Sequence, residues 1–216
     1  MKKLLFALAV VGALTEALAG SGKPLVVTSG MTAGVQDRAA TEADPAQTAG
    51  LLAVRGRPEA AALAAAERGV RSMVVRLPPS VHDVAAQGLV SMLIAQARQT
   101  GVSAYVGEGA NRWSAVHRRD AARLFRLGLE RGHPGERLHA VGEEGVGLRA
   151  IAEAIGARLG LPVHGLAPEA AGDHFGWLAG VVGNETLASS AITQQSVGWR
   201  PTGPGLLEGL AGAYLS

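Results

Sequence analysis

The chain of 216 residues contains no cysteine, which excludes disulfide bonds, thiolate catalysis and cysteine-ligated metal sites. Aromatic residues are scarce, at 4%, whereas the 30 glycines are abundant. This composition is typical of helices packed closely on a sheet with many tight turns, although a GC-rich genome would give the same bias. With 48% hydrophobic and 18% charged residues, the chain is suited to one globular core.

The chain also lacks a large excess of charge of one sign. Its formal net charge is +2, and arginine is spread along the sequence. Phosphate binding that does not depend on nucleotide sequence needs a concentrated basic face, so we predict no nucleic-acid partner. We also predict no metal site, because no i, i+4 histidine pair accompanied by a carboxylate occurs among His82, His117, His133, His139, His164 and His174.

No hydrophobic run is long enough to cross a bilayer, since the longest, Leu4 to Leu14, has only half the required length, and we expect no membrane partner. The segment Met1–Ala19 nevertheless fits a secretory signal, with two lysines, an apolar stretch and a small-residue end. The same residues also fit an ordinary helix, Val11 to Ala19, that is ended by Gly20-Ser21-Gly22. Both interpretations stay open, and the helix favours a cytoplasmic protein.

A strand, a helix and a second strand follow one another along the first half of the chain. Pro24–Gly30 is a short apolar run typical of a strand buried on both faces of a parallel sheet. After a polar stretch, Pro58–Arg68 predicts a helix with proline in its first turn, and Val70–Leu77 predicts a strand ended by Pro78-Pro79. Such a βαβ unit forms part of a parallel sheet, so the fold class is α/β.

The second half contains further predicted elements. We expect helices over Gly88–Thr100, over Asp120–Arg131 with the aspartate as its cap, and over Leu148–Leu159. Between them, Ser103–Val106 predicts a short strand. Gly142–Gly147 has its glycines at the wrong spacing for a dinucleotide motif, and we interpret it as an ordinary turn.

Five segments occur in the order found in one enzyme family. They are Val27–Gly30, Arg76–His82, Gly107–Trp113 continuing into Val116–Leu124, Leu138–Gly142, and Val197–Pro201. In this order the chain resembles the extended or atypical short-chain dehydrogenases, which include nucleotide-sugar epimerases and dehydratases. The resemblance implies a single Rossmann-like domain over residues 1–216, with helices on both faces of a partial parallel sheet. It also implies a small interwoven substrate lobe formed mainly by residues 84–115 and 140–216.

The resemblance also implies site residues and a cofactor, NAD or NADP. The family's catalytic hydroxyl corresponds to Ser29, with Thr28 and Thr32 as alternatives. Contacts to the cofactor would come from the strand end and from the proline-containing loop, that is from Gly30, Pro78, Pro79, Ser80 and His82. Substrate contacts would come from Trp177 and from an arginine stripe with Arg119 and Arg123 that could equally be a solvated helix face.

Two parts of the family pattern are missing from the sequence. No glycine-rich turn for the pyrophosphate is found, so we expect the domain to be N-terminally incomplete. The catalytic tyrosine and lysine of the family correspond to Arg55 and Glu59, neither of which can perform that proton transfer.

These observations leave several functions open. The first is an NAD(P)-dependent oxidoreductase or epimerase that acts on a sugar nucleotide or a small carbonyl compound. The alternatives are a catalytically inactive nucleotide-binding or interaction module, and a truncated fragment whose exposed sheet edge favours a homodimer.

Overall fold

The computed structural model of the chain describes residues 2–31, 38–49, 53–83 and 88–212. Thr32 lies outside these ranges, as do parts of the expected substrate lobe, residues 84–87 and 213–216. The helices and strands in chain order are α1 (Lys2–Ala17), β1 (Pro24–Gly30), α2 (Ala53–Ala64), β2 (Arg71–Leu77), β3 (Ser80–His82), α3 (Leu89–Thr100), β4 (Ser103–Val106), β5 (Arg112–His117), α4 (Arg118–Arg131), β6 (Glu136–His139), β7 (Glu143–Gly147), α5 (Leu148–Leu159), β8 (Val163–Leu166), α6 (Ala171–Phe175), α7 (Ala179–Val182), α8 (Ala191–Val197) and α9 (Leu206–Ala211).

Three parallel strands, in the order β1-β2-β6, form the principal sheet. Side chains alternate between its two faces. Val74 packs with Val11 of α1 and Ala62 of α2, whereas the next residue, Val75, packs with Leu124 of α4 on the other face. Helices therefore cover both faces of a parallel sheet, which confirms the predicted α/β class.

The rest of the molecule is built on two further sheets of short strands. Strands β3, β5 and β7 form a mixed sheet, and β4 pairs with β8. The largest buried cluster lies here, where Trp113 of β5 contacts a group that includes Ile151 of α5 and Phe175 of α6. The amphipathic pattern that predicts α5 is confirmed, since its buried residues are Leu148, Ile151, Ala152, Ile155 and Gly156. Helix α5 thus supplies much of this core.

Strand β1 is less buried than its apolar sequence predicts. Only Ser29 is fully buried among its seven residues, and most of the others are half-buried. Among the described strands β1 pairs with β2 alone, so it lies at an edge of the sheet. The expectation of a strand buried on both faces is therefore met in part. Helices pack on both faces, since Val26 contacts the cluster of α4 and Val27 the cluster of α1 and α2, but at the edge of the sheet these residues are only half-buried.

Three further sequence predictions need correction. Helix α2 begins at Ala53 and contains Pro58 in its interior, although an interior proline removes a backbone hydrogen bond and destabilises a helix by about 3 kcal/mol. The cap of α4 is His117, whose side chain accepts a hydrogen bond from the Arg119 amide, and not Asp120. Gly142–Gly147 is no simple turn, since β7 pairs antiparallel with β5.

The first helix forms in the structure, where α1 packs against α2 through Val11. This supports the helix interpretation of the first residues, and whether the segment also acts as a signal stays untested. Within the described ranges, no helix combines the length and the hydropathy that a membrane span requires.

We predict that Ile151→Ala lowers the free energy of unfolding by about 2–5 kcal/mol, because it leaves a cavity in the largest core cluster. Ile192→Ala is the matched control, since Ile192 is exposed and its truncation should cost less than about 1 kcal/mol. Urea denaturation of both variants measures the difference. Equal losses would contradict the assignment of this cluster as the core.

Candidate functional site

A cavity of about 480 Å³ opens at the carboxyl ends of β1 and β2. This is the edge at which open α/β sheets bind ligands, and the volume lies within the range of small-molecule sites. The wall combines the ends of both strands with the starts of α2 and α3, one residue of β3 and Trp177. The lining residues are Thr28, Ser29, Gly30, Met31, Arg55, Leu77, Pro78, Pro79, Val81, Gly88, Leu89, Met92 and Trp177.

Ser29 is the most buried polar residue in this wall, with 2% of its surface exposed. Its Oγ has no hydrogen-bond partner within the described residues. Buried hydroxyls are normally paired, and an unpaired one costs about 1–3 kcal/mol. An oxygen or nitrogen atom of a ligand in the cavity would supply the missing partner.

Arg55 and Trp177 come to the cavity from two different elements. Arg55 lies in the first turn of α2 and is exposed, and no hydrogen bond or ion pair joins it to any other described residue. Trp177 follows Gly176, whose φ is 56°, and has 67% of its surface exposed. The cavity therefore has one cation and one exposed indole among its described lining residues.

Next to the cavity, a polar row crosses the three parallel strands. Ser29 is in register with Arg76 of β2, and Arg76 with His139 of β6. Arg76 lies on the same face as Val74, the face that α2 covers. There, the Arg76 guanidinium donates to Glu59 from Nη2 at 2.6 Å and from Nε at 3.1 Å. Arg137 lies 3.4 Å from the same Glu59 oxygen.

Glu59 is thus held by two arginines while only 1% exposed. It lies one helical turn after Arg55, at the position that the resemblance predicts for the lysine of the family. Its carboxylate is directed to the strand below it and is not among the lining groups of the cavity. In this structure the residue joins α2 to the sheet.

The network continues from Arg76 to His139. The Nη1 atom of Arg76 lies 3.2 Å from Nε2 of His139, and Nδ1 of His139 lies 2.8 Å from the Ser189 carbonyl oxygen. Because arginine can only donate, Nε2 accepts and Nδ1 donates, which is the pattern of a neutral ring. Burial lowers the pKa of His139, in agreement with that state. The main-chain amide of His139 also donates to Thr193, which in turn donates to Glu42.

His82 does not line the cavity, although it was predicted to contact a cofactor. It is buried, and its ring packs edge-on against His117 at a centroid distance of 5.7 Å. Burial, assisted by the charge of His117, lowers the pKa of His82 to about 4. Ser80 is also buried and outside the cavity wall.

The two predicted substrate-binding arginines of α4 are likewise absent from the wall of the cavity. Arg119 is exposed. Arg123 pairs with Asp120 at 2.9 Å and donates to the Arg200 carbonyl oxygen and to Thr202. Arg123 therefore anchors the segment after α8 to α4. Within the described ranges, no group of three or more histidine or acidic side chains could hold a metal ion.

Sequence reasoning placed Thr28, Ser29, Gly30, Pro78, Pro79 and Trp177 in the site, and the structure brings all six into one cavity wall. It missed the contributions of α3, namely Leu89 and Met92, and the polar row of Arg76 and His139. A charged residue directly after the apolar run Met73-Val74-Val75 of β2 was the available signal for Arg76. His139 carried no comparable signal.

Two curated proteins of yeasts are similar to the chain over most of its length. An uncharacterized protein of Schizosaccharomyces pombe is 41% identical over 202 residues, which cover 94% of this chain and 68% of that protein. An uncharacterized protein of Saccharomyces cerevisiae is 39% identical over 202 residues, covering 94% of this chain and 67% of that protein. The chain belongs to the same family as these two proteins. A scan against models of known protein families finds no match.

The chain shares its fold with sugar-nucleotide enzymes of known structure. The dTDP-glucose 4,6-dehydratase DesIV of Streptomyces venezuelae, solved with NAD and TYD bound, superposes with a TM-score of 0.73 at 20% identity, over 95% of this chain and 62% of that one. A UDP-glucuronic acid 4-epimerase of Bacillus cereus, solved with NAD, gives a TM-score of 0.72 at 15% identity, over 96% of this chain and 66% of that one. The Rossmann-like fold of the extended short-chain dehydrogenases is thus confirmed, and the chain spans about two thirds of the length of these proteins.

We predict that Glu59→Gln lowers the free energy of unfolding by about 3–5 kcal/mol, because it leaves the buried Arg76 charge without its counter-ion. Glu185→Gln is the control, since it breaks the exposed Arg112–Glu185 pair, which spans 2.8 Å, and should cost at most about 1 kcal/mol. Chemical denaturation measures both losses. If both variants lowered the free energy of unfolding by the same small amount, the buried network would not stabilise α2 on the sheet.

We also predict that the protein loses stability as the pH falls from about 6.5 to 4. The folded state holds His82 neutral, with a pKa of about 4, whereas the unfolded chain takes up a proton near pH 6.5. The unfolded state therefore binds more protons in this window, and His82 contributes at most about 3 kcal/mol to the loss.

The measurement is the free energy of unfolding against pH for the wild type and for His82→Gln. The variant should show a flatter profile between pH 6.5 and 4, with the remaining slope due to groups such as His139. Identical slopes would refute a neutral, buried His82.

Proposed function

We propose that the chain is part of an NAD(P)-dependent oxidoreductase or epimerase of the extended short-chain type, which acts on a small carbonyl compound or a sugar nucleotide. The observation that carries the proposal is the buried Ser29 hydroxyl in the wall of the cavity, which has no hydrogen-bond partner among the residues that the structure describes. It lies at the end of a parallel strand, where ligands bind in this class of fold.

The residues around Ser29 fit the nicotinamide part of a dinucleotide. Gly30 presents no side chain at the strand end, and the Pro78-Pro79 loop offers a flat apolar surface to a ring. The dehydratase and epimerase structures that share the fold were solved with NAD, which supports this choice of cofactor. When bound, the nicotinamide would supply a hydride donor or acceptor.

Within the chain, Ser29 is the group suited to orient the substrate. Its Oγ–H would donate a hydrogen bond to the substrate carbonyl oxygen, and a buried donor of this kind stabilises negative charge that develops there. Thr28, which is exposed, would contact the other side of the ligand. Neither Arg55, which stays protonated, nor Glu59, which is paired to Arg76, would transfer the proton.

The pairing of Glu59 with Arg76 favours a second candidate function, a nucleotide-binding or interaction module without turnover. The resemblance places Glu59 where the family has its lysine. A nearby cation lowers the pKa of a proton donor, whereas a carboxylate raises it, and the Glu59 carboxylate is bound to Arg76 at 2.6 Å. In this case the cavity would bind its ligand without reaction.

Titration with NADH and NADPH tests the proposal through the increase in nicotinamide fluorescence on binding. We expect binding by the wild type and turnover of at least one member of a panel of carbonyl compounds. Ser29→Ala should lower kcat about 100-fold, as the loss of a single oxyanion donor does.

Ser72→Ala is the matched control, because Ser72 is also buried with an unpartnered Oγ but lies outside the cavity. It should retain full activity. The proposal fails if neither nucleotide binds at high micromolar concentration, and binding without turnover of any carbonyl compound would favour the non-catalytic module.

A further inference from the structure

The side chains that line the cavity limit what it can bind. Among the described lining residues only Thr28, Ser29 and Arg55 carry polar side chains, and the rest are apolar residues or glycines. A sugar nucleotide would bring several hydroxyls and a diphosphate, and each buried polar group without a partner costs free energy. The wall is better matched to a ligand with an apolar body and few polar atoms.

Arg55 adds a positive potential to this apolar wall. It lies in the first turn of α2, a turn without any acidic residue, where the helix dipole is itself positive. A cation at that end of a helix destabilises it by about 0.3–1 kcal/mol, and Arg55 has no partner among the described residues that would offset this cost. A single anionic group on the ligand would do so, and guanidinium groups bind carboxylates in a bidentate way.

Trp177 supplies a large flat surface to the same cavity. Of the three tryptophans, Trp113 and Trp199 are fully buried, whereas Trp177 is 67% exposed. Its neighbour in the wall, Met92, is exposed as well. A planar ring packed against the indole would remove this apolar surface from water and gain the offset-stacking interaction of aromatic pairs.

We propose that the cavity binds a planar aromatic compound that carries one carboxylate. The carboxylate pairs with Arg55, the ring packs against Trp177, and a carbonyl or hydroxyl oxygen of the compound accepts the hydrogen bond of Ser29. This ligand class is also a substrate class for the proposed function. Its reaction rests on that function, whereas its binding to the cavity does not.

Binding is tested with two inert probes, naphthalene-2-carboxylate and its uncharged methyl ester, by equilibrium dialysis against the full chain. We expect the wild type to bind the carboxylate at least 10-fold more tightly than the ester. Arg55→Gln should remove this preference by weakening the carboxylate alone, and Arg55→Lys should restore part of it. Trp177→Ala should weaken both probes about 5-fold or more.

Arg126→Gln is the control for charge, because Arg126 is an exposed arginine of α4 outside the cavity, and it should leave both affinities unchanged. Thermal unfolding checks that each variant is folded. The inference is overturned if Arg55→Gln keeps the preference, if the carboxylate binds no better than the ester, or if UDP-glucose binds more tightly than the carboxylate.

Neither probe can be reduced or epimerised under these conditions, so the result is independent of turnover. Arg55-dependent binding of the carboxylate by a chain that binds no NADH or NADPH would keep this inference and refute the proposed function. Turnover of carbonyl compounds that does not depend on Arg55 would keep the proposed function and refute this inference.

Discussion

The buried ion pair between Glu59 and Arg76 is the interaction on which the arrangement of the site depends. It joins the middle of α2 to the carboxyl end of β2, and it fixes the position of the first turn of α2 over the strand ends. Because two desolvated charges stabilise a structure only with good geometry and further hydrogen bonds, the contacts from Arg137 to Glu59 and from Arg76 to His139 are part of the same constraint. Arg55 reaches the cavity because this pair holds its helix in register.

The fold is that of extended short-chain dehydrogenases. The Glu59 carboxylate, at the position that the resemblance predicts for the family's lysine, joins α2 to the sheet through Arg76. Ser29 lies beside this network, buried and without a hydrogen-bond partner among the described residues, at the strand end where we propose that a substrate oxygen binds. The described lining of the cavity combines that hydroxyl with Thr28, the Arg55 cation and the exposed indole of Trp177, and its other residues are apolar or glycine.

Local patterns made much of the fold predictable. The run Pro24–Gly30, the amphipathic spacing of Leu148–Leu159 and the order of motifs were enough for the α/β class, because each depends on residues near one another in the chain. The predictions that failed concern elements whose limits depend on distant partners. Asp120 looks like a helix cap, but its carboxylate accepts the amides of Thr202 and Gly203, which lie far along the chain.

By itself the sequence determined the parallel βαβ arrangement and the strand end with Thr28 and Ser29. Only the tertiary structure decided which of the candidate residues share a cavity and which do not. Trp177 was brought to Ser29 across almost 150 positions of the chain, whereas His82 and Arg123, which are closer in sequence, were turned to other partners. The physical reason is that burial and pairing are properties of contacts between elements, and composition and periodicity describe one element at a time.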